Sequence, residues 1–312
     1  MRKIFRIASF ALLLAVGVAC STDDVPQEPL GTYPILFRCM DETRAVATVG
    51  SMKSDTTGFA VYAFFTNNAI NASQSFNKTV KYDDQSSKWL YSGLEYWIPG
   101  ATYYFKAVYP TTIDYAVDNS TTTQPLTITG YDITNQYDIL VAEAGPLTVD
   151  PVVGAPGSGS IVYLNFQHLL ANVTIKAMSE LATPVDIERI ELRTVAKKAD
   201  YIGNKWSAQS FTKGDFGFDS NWTLNKAVSE TDYTDITNGG ILVIPEQING
   251  TQELYIKTSH KEYKVSFPTT YTWNPGQKYT YTLIIKQENI EFNEPKVEIW
   301  DEENATGSVV IK

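Results

Sequence analysis

The sequence predicts an all-β protein, and three observations support that fold class. Apolar and polar residues alternate with a period of two along most of the chain, as in 279–283, where two tyrosines and a leucine occupy one face and two threonines the other. The chain contains 19 Tyr, and aromatic residues make up 12% of it, a composition typical of sheets. The dipeptide Asn249-Gly250 lies between two apolar runs and predicts a hairpin.

The chain begins with a secretory signal. A basic start precedes an apolar run over residues 7–19, which at about 20 Å of helix is too short to span a bilayer. The run ends on small residues before Cys20, an arrangement that resembles a bacterial lipoprotein signal, in which the cysteine carries acyl chains. We expect a signal peptide over 1–19 and a lipidated, acidic, Pro-rich tether over 20–32. The alternative is an ordinary cleaved signal.

The remaining chain is long enough for two β domains. The stretch from Asp150 to Ser160 is rich in Gly, Pro and Ser and lies between apolar runs, so it predicts the domain boundary. We expect an N-terminal sandwich over 45–156 and a C-terminal sandwich over 157–312. With Cys20 lipidated, no second cysteine is available to form an intramolecular disulfide, and packing alone must stabilise the fold.

Charge and motif content argue against several functions. The net charge of −10 and the low pI disfavour nucleic acid as a partner. The two histidines, His168 and His260, occur in different strand contexts, and no His or Cys falls at metal-ligand spacing. The sequence carries no nucleophile elbow and no phosphate-binding loop. It therefore predicts no catalytic residue, no cofactor and no metal site.

Aromatic residues are concentrated between positions 89 and 97. Trp89 and Trp97 are candidates for stacking on sugar rings, if their faces are exposed. The alternative is that they form core and cross-strand pairs. The sequence leaves both interpretations open.

Five segments, in this order and spacing, resemble the fimbrillin family, the subunits of Bacteroidales type V pili. They are "YWIPGATYYFKAVYP" (96–110), "YDILVAEA" (137–144), "VYLNFQHLLANVTIKA" (162–177), "ILVIPEQI" (241–248) and "NPGQKYTYTLIIK" (274–286). The resemblance implies two transthyretin-like Greek-key sandwich domains in tandem and no catalysis. It also implies export as an outer-membrane lipoprotein, cleavage by a trypsin-like, arginine-specific protease, and polymerisation by strand exchange.

The resemblance gives the segment 33–44 a role as a removable pro-strand. Its apolar positions alternate along the segment: Ile35, Phe37 and Cys39. Such a strand would cover apolar neighbours and satisfy a row of backbone groups. Cleavage between Arg44 and Ala45 would release it and open a groove, which a strand from another subunit could fill by β-augmentation.

The C-terminal tail over 296–312 is the candidate donor strand. Two short runs within it alternate in the manner of strands, at Val297 and Ile299 and at Val309 and Ile311. The alternative is that these runs are the last strands of the protein's own C-terminal sandwich. A tail that packs within its own subunit would suit a subunit at a fimbrial tip. An uncut Arg44 would suit a lipid-bound anchor subunit.

Two functions remain at this stage. The first is a structural subunit of a surface fimbria, with other subunits, the protease, the outer membrane and a host or bacterial surface ligand as partners. The second is a glycan-binding surface lipoprotein of a polysaccharide-uptake system. The segment ahead of Arg44 favours the first, and the aromatic cluster favours the second.

Overall fold

The structure, a computed structural model, describes residues 33–39, 52–67, 72–157, 159–269 and 271–300. The signal peptide over 1–19, the tether with Cys20, the cleavage site at Arg44 and Ala45, and the tail positions Val309 and Ile311 lie outside these residues. The described chain is almost entirely β-structure, so the prediction of an all-β sandwich fold is confirmed. Two short 3-10 helices occur, at Ile133–Asn135 and Ala208–Ser210.

Twenty strands are described. Those in the first half are β1 (Leu36–Cys39), β2 (Phe59–Asn67), β3 (Ala72–Asp83), β4 (Lys88–Leu90), β5 (Ala101–Tyr109), β6 (Tyr115–Val117), β7 (Leu126–Asp132), β8 (Leu140–Thr148), β9 (Ile161–Leu164) and β10 (Gln167–His168). Those in the second half are β11 (Ala171–Ser179), β12 (Val185–Ile202), β13 (Thr212–Leu224), β14 (Thr234–Asp235), β15 (Ile241–Val243), β16 (Glu253–Thr258), β17 (Glu262–Ser266), β18 (Gln277–Ile285), β19 (Ile290–Phe292) and β20 (Lys296–Ile299).

The first sheet has the strand order β10-β8-β5-β2-β3-β4-β1-β9. Strand β2 lies near its centre because its sequence, FAVYAFFTN, is apolar on both faces and is buried at almost every position. Strand β3 is long and pairs with β2 along one part and with β4 along its last three residues. Because β3 pairs with both β2 and β4, it connects β2 with β4 and, beyond β4, with β1 and β9 in one sheet.

The other two sheets enclose a second core. One has the order β14-β11-β18-β19, with β15 added on β11 and β20 added on β18. The other has the order β17-β16-β12-β7-β6, with β13 added on β12. Their inward side chains alternate along the strands, as Tyr279, Tyr281 and Leu283 do in β18, and together form one cluster of buried residues.

Two clusters of buried hydrophobic residues result, and they do not divide at the boundary expected between 156 and 157. The first cluster includes Val162 and Leu164 of β9, because β9 pairs in parallel with β1. The second includes Leu126 and Ile128 of β7, because β7 pairs with β12. The Gly and Pro residues of 150–157 form a tight turn rather than a linker between the two cores, with the Gly154 amide donating to the Asp150 carbonyl at 2.8 Å.

A buried lysine connects the first sheet to the second core. The Lys106 ammonium on β5 donates to Asn204 Oδ1 at 3.0 Å and lies 2.9 Å from a Glu143 carboxylate oxygen. Asn204 belongs to the turn after β12, so the lysine is satisfied from both sides of the junction. Among the described residues, no helix has the length and apolarity needed to cross a membrane.

Candidate functional site

The candidate site is the position of β1 inside the first sheet. Strand β1 runs antiparallel to β4, with Phe37 opposite Trp89, and parallel to β9, with residues 36–39 opposite 161–164. The strand is therefore hydrogen-bonded to a neighbour on each side, although it lies at the start of the described chain. We call the space between β4 and β9 that residues 35–39 occupy the β1 slot.

The alternating side chains of this segment fill the core. Ile35, Phe37 and Cys39 are all buried and belong to the first hydrophobic cluster. The Phe37 ring lies 5.4 Å from the Tyr91 ring and 5.9 Å from the Phe105 ring, in tilted and edge-on arrangements that aromatic pairs favour. On the opposite face Arg38 is exposed, which explains how a charged residue is accommodated in the strand.

Backbone hydrogen bonds hold the chain where it enters the slot. The Ile35 amide donates to the Glu95 carbonyl at 2.8 Å, and the Trp97 amide donates to the Tyr33 carbonyl at 3.0 Å. The Leu36 amide donates to the Ser160 carbonyl at 3.1 Å. These bonds tie both flanks of the slot to the incoming chain.

The side chain of Tyr91 adds a hydrogen bond to the same segment. The Tyr91 hydroxyl donates to the Ile35 carbonyl at 2.7 Å. Burial raises the pKa of Tyr91 above its ordinary value, so the hydroxyl stays protonated and able to donate to a more alkaline pH than an exposed tyrosine. The tyrosine therefore holds the segment by a bond that phenylalanine at the same position could not make.

The geometry defines what loss of β1 would do. Both β4 and β9 would lose a hydrogen-bonded neighbour, and unpaired strand edges are templates for another chain. The three buried side chains would leave the core, and the burial of Ile35 and Phe37 contributes about 1.5–3 kcal/mol each. An empty slot would therefore bind a replacement strand whose apolar residues have the same period of two.

The two tryptophans proposed for glycan stacking do not lie on the surface. Trp89 is 7% exposed and Trp97 is 1% exposed. Trp89 packs edge-on against Phe59 at 5.1 Å, and Trp97 packs edge-on against Tyr103 at 4.8 Å. The glycan-stacking interpretation of Trp89 and Trp97 is therefore wrong, because neither ring presents a face that a sugar could reach.

The first half of the candidate donor tail lies in the protein's own sheet. Strand β20 pairs antiparallel with β18, with Val297 opposite Tyr279 and Ile299 opposite Gln277. Val297 is 40% exposed and Ile299 is 56% exposed, so neither side chain fills the core. The paired backbone fits the last-strand alternative, whereas the exposed apolar side chains leave this strand weakly held.

The residue that anchors β20 is Trp300, which the sequence reasoning missed. Its ring is buried and stacks on the His168 ring at 3.8 Å, and its amide donates to the Gly276 carbonyl at 2.9 Å. His168 Nδ1 lies 2.6 Å from Asp138 Oδ2, so the histidine is itself held in place. The signal was present in the period of two, since Trp300 falls on the face opposite to Val297 and Ile299.

The second histidine also has a structural partner. His260 Nε2 lies 3.2 Å from the Pro184 carbonyl at the surface, far in sequence from the His168 pair. Within the described ranges, no group of three or more His, Cys, Asp or Glu side chains could hold a metal ion.

The described fold is that of an all-β sandwich protein, and comparison of the sequence with models of known families identifies its family. The model of the fimbrillin-like family matches residues 43–300, which is most of the chain. The chain therefore belongs to the fimbrillin-like family, as its five motifs indicated, and its class is that of fimbrial subunits of the cell surface. No curated protein sequence matches it.

Solved structures of proteins from Bacteroides and Porphyromonas are similar to the described fold. A protein of Bacteroides ovatus whose proposed role is cell adhesion superposes with a TM-score of 0.58 at 10% identity, covering 86% of this chain and 96% of that one. A second such protein, from Bacteroides uniformis, gives 0.51 at 15% identity, covering 86% and 98%. The tip fimbrial protein Mfa3 of Porphyromonas gingivalis, with a C-terminal truncation, gives 0.45 at 9% identity, covering 83% and 97%. At these identities the similarity concerns the fold alone.

Proposed function

We propose that this protein is a fimbrial subunit that assembles by strand exchange at the β1 slot. In this account Cys20 carries the acyl chains that hold the precursor at the outer membrane. An arginine-specific protease then cuts between Arg44 and Ala45 and separates the folded body from both the lipid and β1. A strand of a neighbouring subunit occupies the slot, and the resulting fimbria supports adhesion to a host or bacterial surface ligand.

The observation that carries the proposal is the insertion of β1 between β4 and β9. Ile35, directly before β1, and Phe37 and Cys39 within it are buried in the first core. Cys39, the last residue of β1, precedes Arg44 by five positions. The family match begins at residue 43, so β1 lies ahead of the part of the chain that matches the family.

The contacts of β20 support a donor role for the tail that follows it. Strand β20 is exposed on its apolar face and ends at Ile299. The buried Trp300 follows it directly, and residues 301–312 continue the chain. Val309 and Ile311 have the period of two that the buried face of β1 has. We infer that the segment containing Val309 and Ile311 enters a neighbour's slot, while β20 stays paired with β18 and Trp300 marks the boundary between the two.

Proteolysis of the purified precursor tests the proposal. An arginine-specific protease should cut after Arg44 and leave the body over 45–312 intact by mass spectrometry. Arg38 provides an internal control, since its side chain is exposed but its backbone is paired on both sides. The Arg44→Ala variant should resist cleavage and remain monomeric under the same conditions.

The readout that tests assembly is the formation of oligomers that survive SDS. Cleaved wild-type protein should form them, and the uncut Arg44→Ala variant should not, because an inserted strand unfolds slowly. Cleavage at other arginines with Arg44 left intact would contradict the processing step. Clipped protein that never forms such oligomers would contradict the strand-exchange role.

The glycan-binding alternative is not favoured by the structure. Its two candidate stacking residues, Trp89 and Trp97, are core residues. Their truncation to alanine would therefore unfold the first core before it reported on any ligand.

A further inference from the structure

Three segments meet at the end of the first core where the chain enters β1. Residues 33–35 pair with 95–97 through the bonds from Ile35 to Glu95 and from Trp97 to Tyr33. The Trp97 indole donates to the Ser160 carbonyl at 3.3 Å, and the Gly100 amide donates to the Val149 carbonyl at 3.1 Å. The loops 92–100 and 149–160 are thus joined to each other and to the incoming chain. We call these three segments the N-terminal end.

The two loops of the N-terminal end expose large apolar side chains. Val152 is 71% exposed and Val153 is 52% exposed, at adjacent positions in one turn. Leu94 and Tyr96, in the neighbouring loop, are about half exposed. Single exposed apolar residues need no explanation, but four in two joined loops indicate an interaction surface.

The valine turn is held in shape. Asp150 Oδ1 accepts hydrogen bonds from the amides of Val152 at 2.7 Å and Val153 at 2.9 Å. The amides of Val153 and Val152 hold the pKa of Asp150 below its ordinary value, so the carboxylate is ionised and the turn is closed at neutral pH. The two valines are therefore displayed by a fixed turn, which limits the entropy that binding would cost.

The chain outside the described residues indicates what this surface meets. Residue 33 enters the N-terminal end, and only the segment 21–32 separates it from Cys20. A flexible chain of that length spans about 20 Å on average and about 40 Å at most. If Cys20 is lipidated, as the proposed function holds, the N-terminal end is tethered within that distance of the bilayer.

We propose that Val152, Val153, Leu94 and Tyr96 form a membrane-contact surface that rests on the lipid bilayer in the uncleaved precursor. The inference depends on the proposed lipid anchor and adds an orientation to it. The net charge of −10 excludes attraction to anionic lipid as the main cause, so the contact is apolar and insensitive to salt. Side chains of this size gain free energy when they enter the bilayer interface.

This orientation places Cys39, the last residue of β1, away from the bilayer. The segment 33–39 crosses the sheet in extended form, and a strand rises about 3.3 Å per residue. Cys39 therefore lies about 20 Å from the point where the chain enters. In this orientation β1 therefore ends on the side of the first core that is remote from the lipid.

Fluorescence quenching in vesicles tests the surface. The lipidated full-length chain carrying Val152→Cys is labelled with bimane under native conditions and reconstituted into phosphatidylcholine vesicles with brominated acyl chains. Cys39 is buried, and the unsubstituted chain serves as the labelling blank. The matched control is Val228→Cys, a 92% exposed position in the loop between β13 and β14. We expect brominated lipid to lower emission at position 152 by about twofold and to leave position 228 unchanged.

A second label makes the test independent of residue 152 itself. Bimane at Leu94→Cys should also be quenched, and adding Val152→Asp and Val153→Asp should remove that quenching without unfolding the protein, since both side chains are exposed. Equal quenching at positions 152 and 228, or none at 152 in a chain whose acylation is confirmed by mass, would overturn the proposal. Protection of label 152 by a second copy of the chain, without quenching by lipid, would overturn it in favour of a subunit contact.

Failure of the lipid anchor is distinguishable from failure of the surface. If mass spectrometry finds no acyl group on Cys20, the lipoprotein part of the proposed function is wrong. The same labelled chains are then held on nickel-chelating vesicles by a hexahistidine in place of Cys20, which preserves the tether. Quenching at 152 but not at 228 would still support the contact surface, and its absence would refute it.

Discussion

Strands β1 and β20 are the first and last strands described, each is four residues long, and they are held in opposite ways. Strand β1 lies between two neighbours and buries its alternate side chains in the first core. Strand β20 pairs with β18 alone among the described strands, and all four of its side chains are exposed. The buried residues here flank the strand, with Pro295 directly before it and Trp300 directly after it.

The difference teaches which end of the protein can leave at low cost. Departure of β1 would unpair two strands and expose core side chains, so it requires both cleavage and a replacement. Departure of β20 would expose little more apolar surface than is already exposed, apart from Trp300. Loss of β1 would thus leave a slot to be filled, whereas β20 fills no such slot and, in the proposed account, stays paired with β18 while the tail after Trp300 moves.

The largest expected effect is in the β1 slot. Phe37→Ala should lower the free energy of unfolding by about 3–5 kcal/mol, since it removes a buried ring from between Tyr91 and Phe105. The matched control Arg38→Ala, on the exposed face, should change it by less than about 0.5 kcal/mol. Urea denaturation of both variants measures the difference. Similar values for the two would show that β1 is not part of the core.

A smaller effect is expected at the hydroxyl that holds the slot. Tyr91→Phe keeps the ring against Phe37 and removes the bond to the Ile35 carbonyl, which should cost about 1–3 kcal/mol because that carbonyl loses a partner. The variant should also release the cleaved pro-strand faster. A stability equal to that of the wild type would mean that water replaces the tyrosine hydroxyl at no cost.

The residue that holds the C-terminal strand β20 is Trp300. Trp300→Ala should free β20 locally, and the amides of 296–299 should exchange with solvent about tenfold faster or more, a change of about 1–2 kcal/mol in local opening. The denaturation midpoint should shift less than it does for Phe37→Ala. Hydrogen exchange read by mass spectrometry measures this, and unchanged protection of β20 would contradict the anchoring role.

The smallest effect should occur on β20 itself. Ile299→Ser replaces a side chain that is 56% exposed, so it should change the free energy of unfolding by about 0.5 kcal/mol or less. Urea denaturation measures this change in the free energy of unfolding. A loss of several kcal/mol would place β20 in a core and remove the contrast with β1.

The sequence was sufficient for the fold class and for the face of β1. A period of two is fixed by the geometry of a strand, so the alternation of Ile35, Phe37 and Cys39 indicated which side chains would lie together, and the structure buries all three. The alternation of Val297 and Ile299 likewise indicated a strand, and the structure shows that this apolar face is exposed in the protein's own sheet. There the single Trp300 decides which face lies inward.

Features that depend on distant strands could not be read from the sequence. Among the described strands, β9 joins the first sheet through its pairing with β1, more than a hundred residues earlier, and no local signal in "IVYL" specifies that partner. The Gly and Pro residues of 150–157 mark a turn, and turns and linkers have similar composition. The burial of Trp89 and Trp97 likewise depends on Phe59 and Tyr103, which only the folded sheet brings near.

Native mass spectrometry of the cleaved protein tests the central claim most directly. Precursor cut after Arg44 is mixed with a synthetic peptide that covers 301–312, and the masses of the intact complexes are followed over time. The account predicts that the body first retains the fragment containing β1 and then loses it in one-for-one exchange for the peptide. A body that loses the fragment, binds no peptide and keeps its full stability would contradict the claim that β1 fills an exchangeable slot.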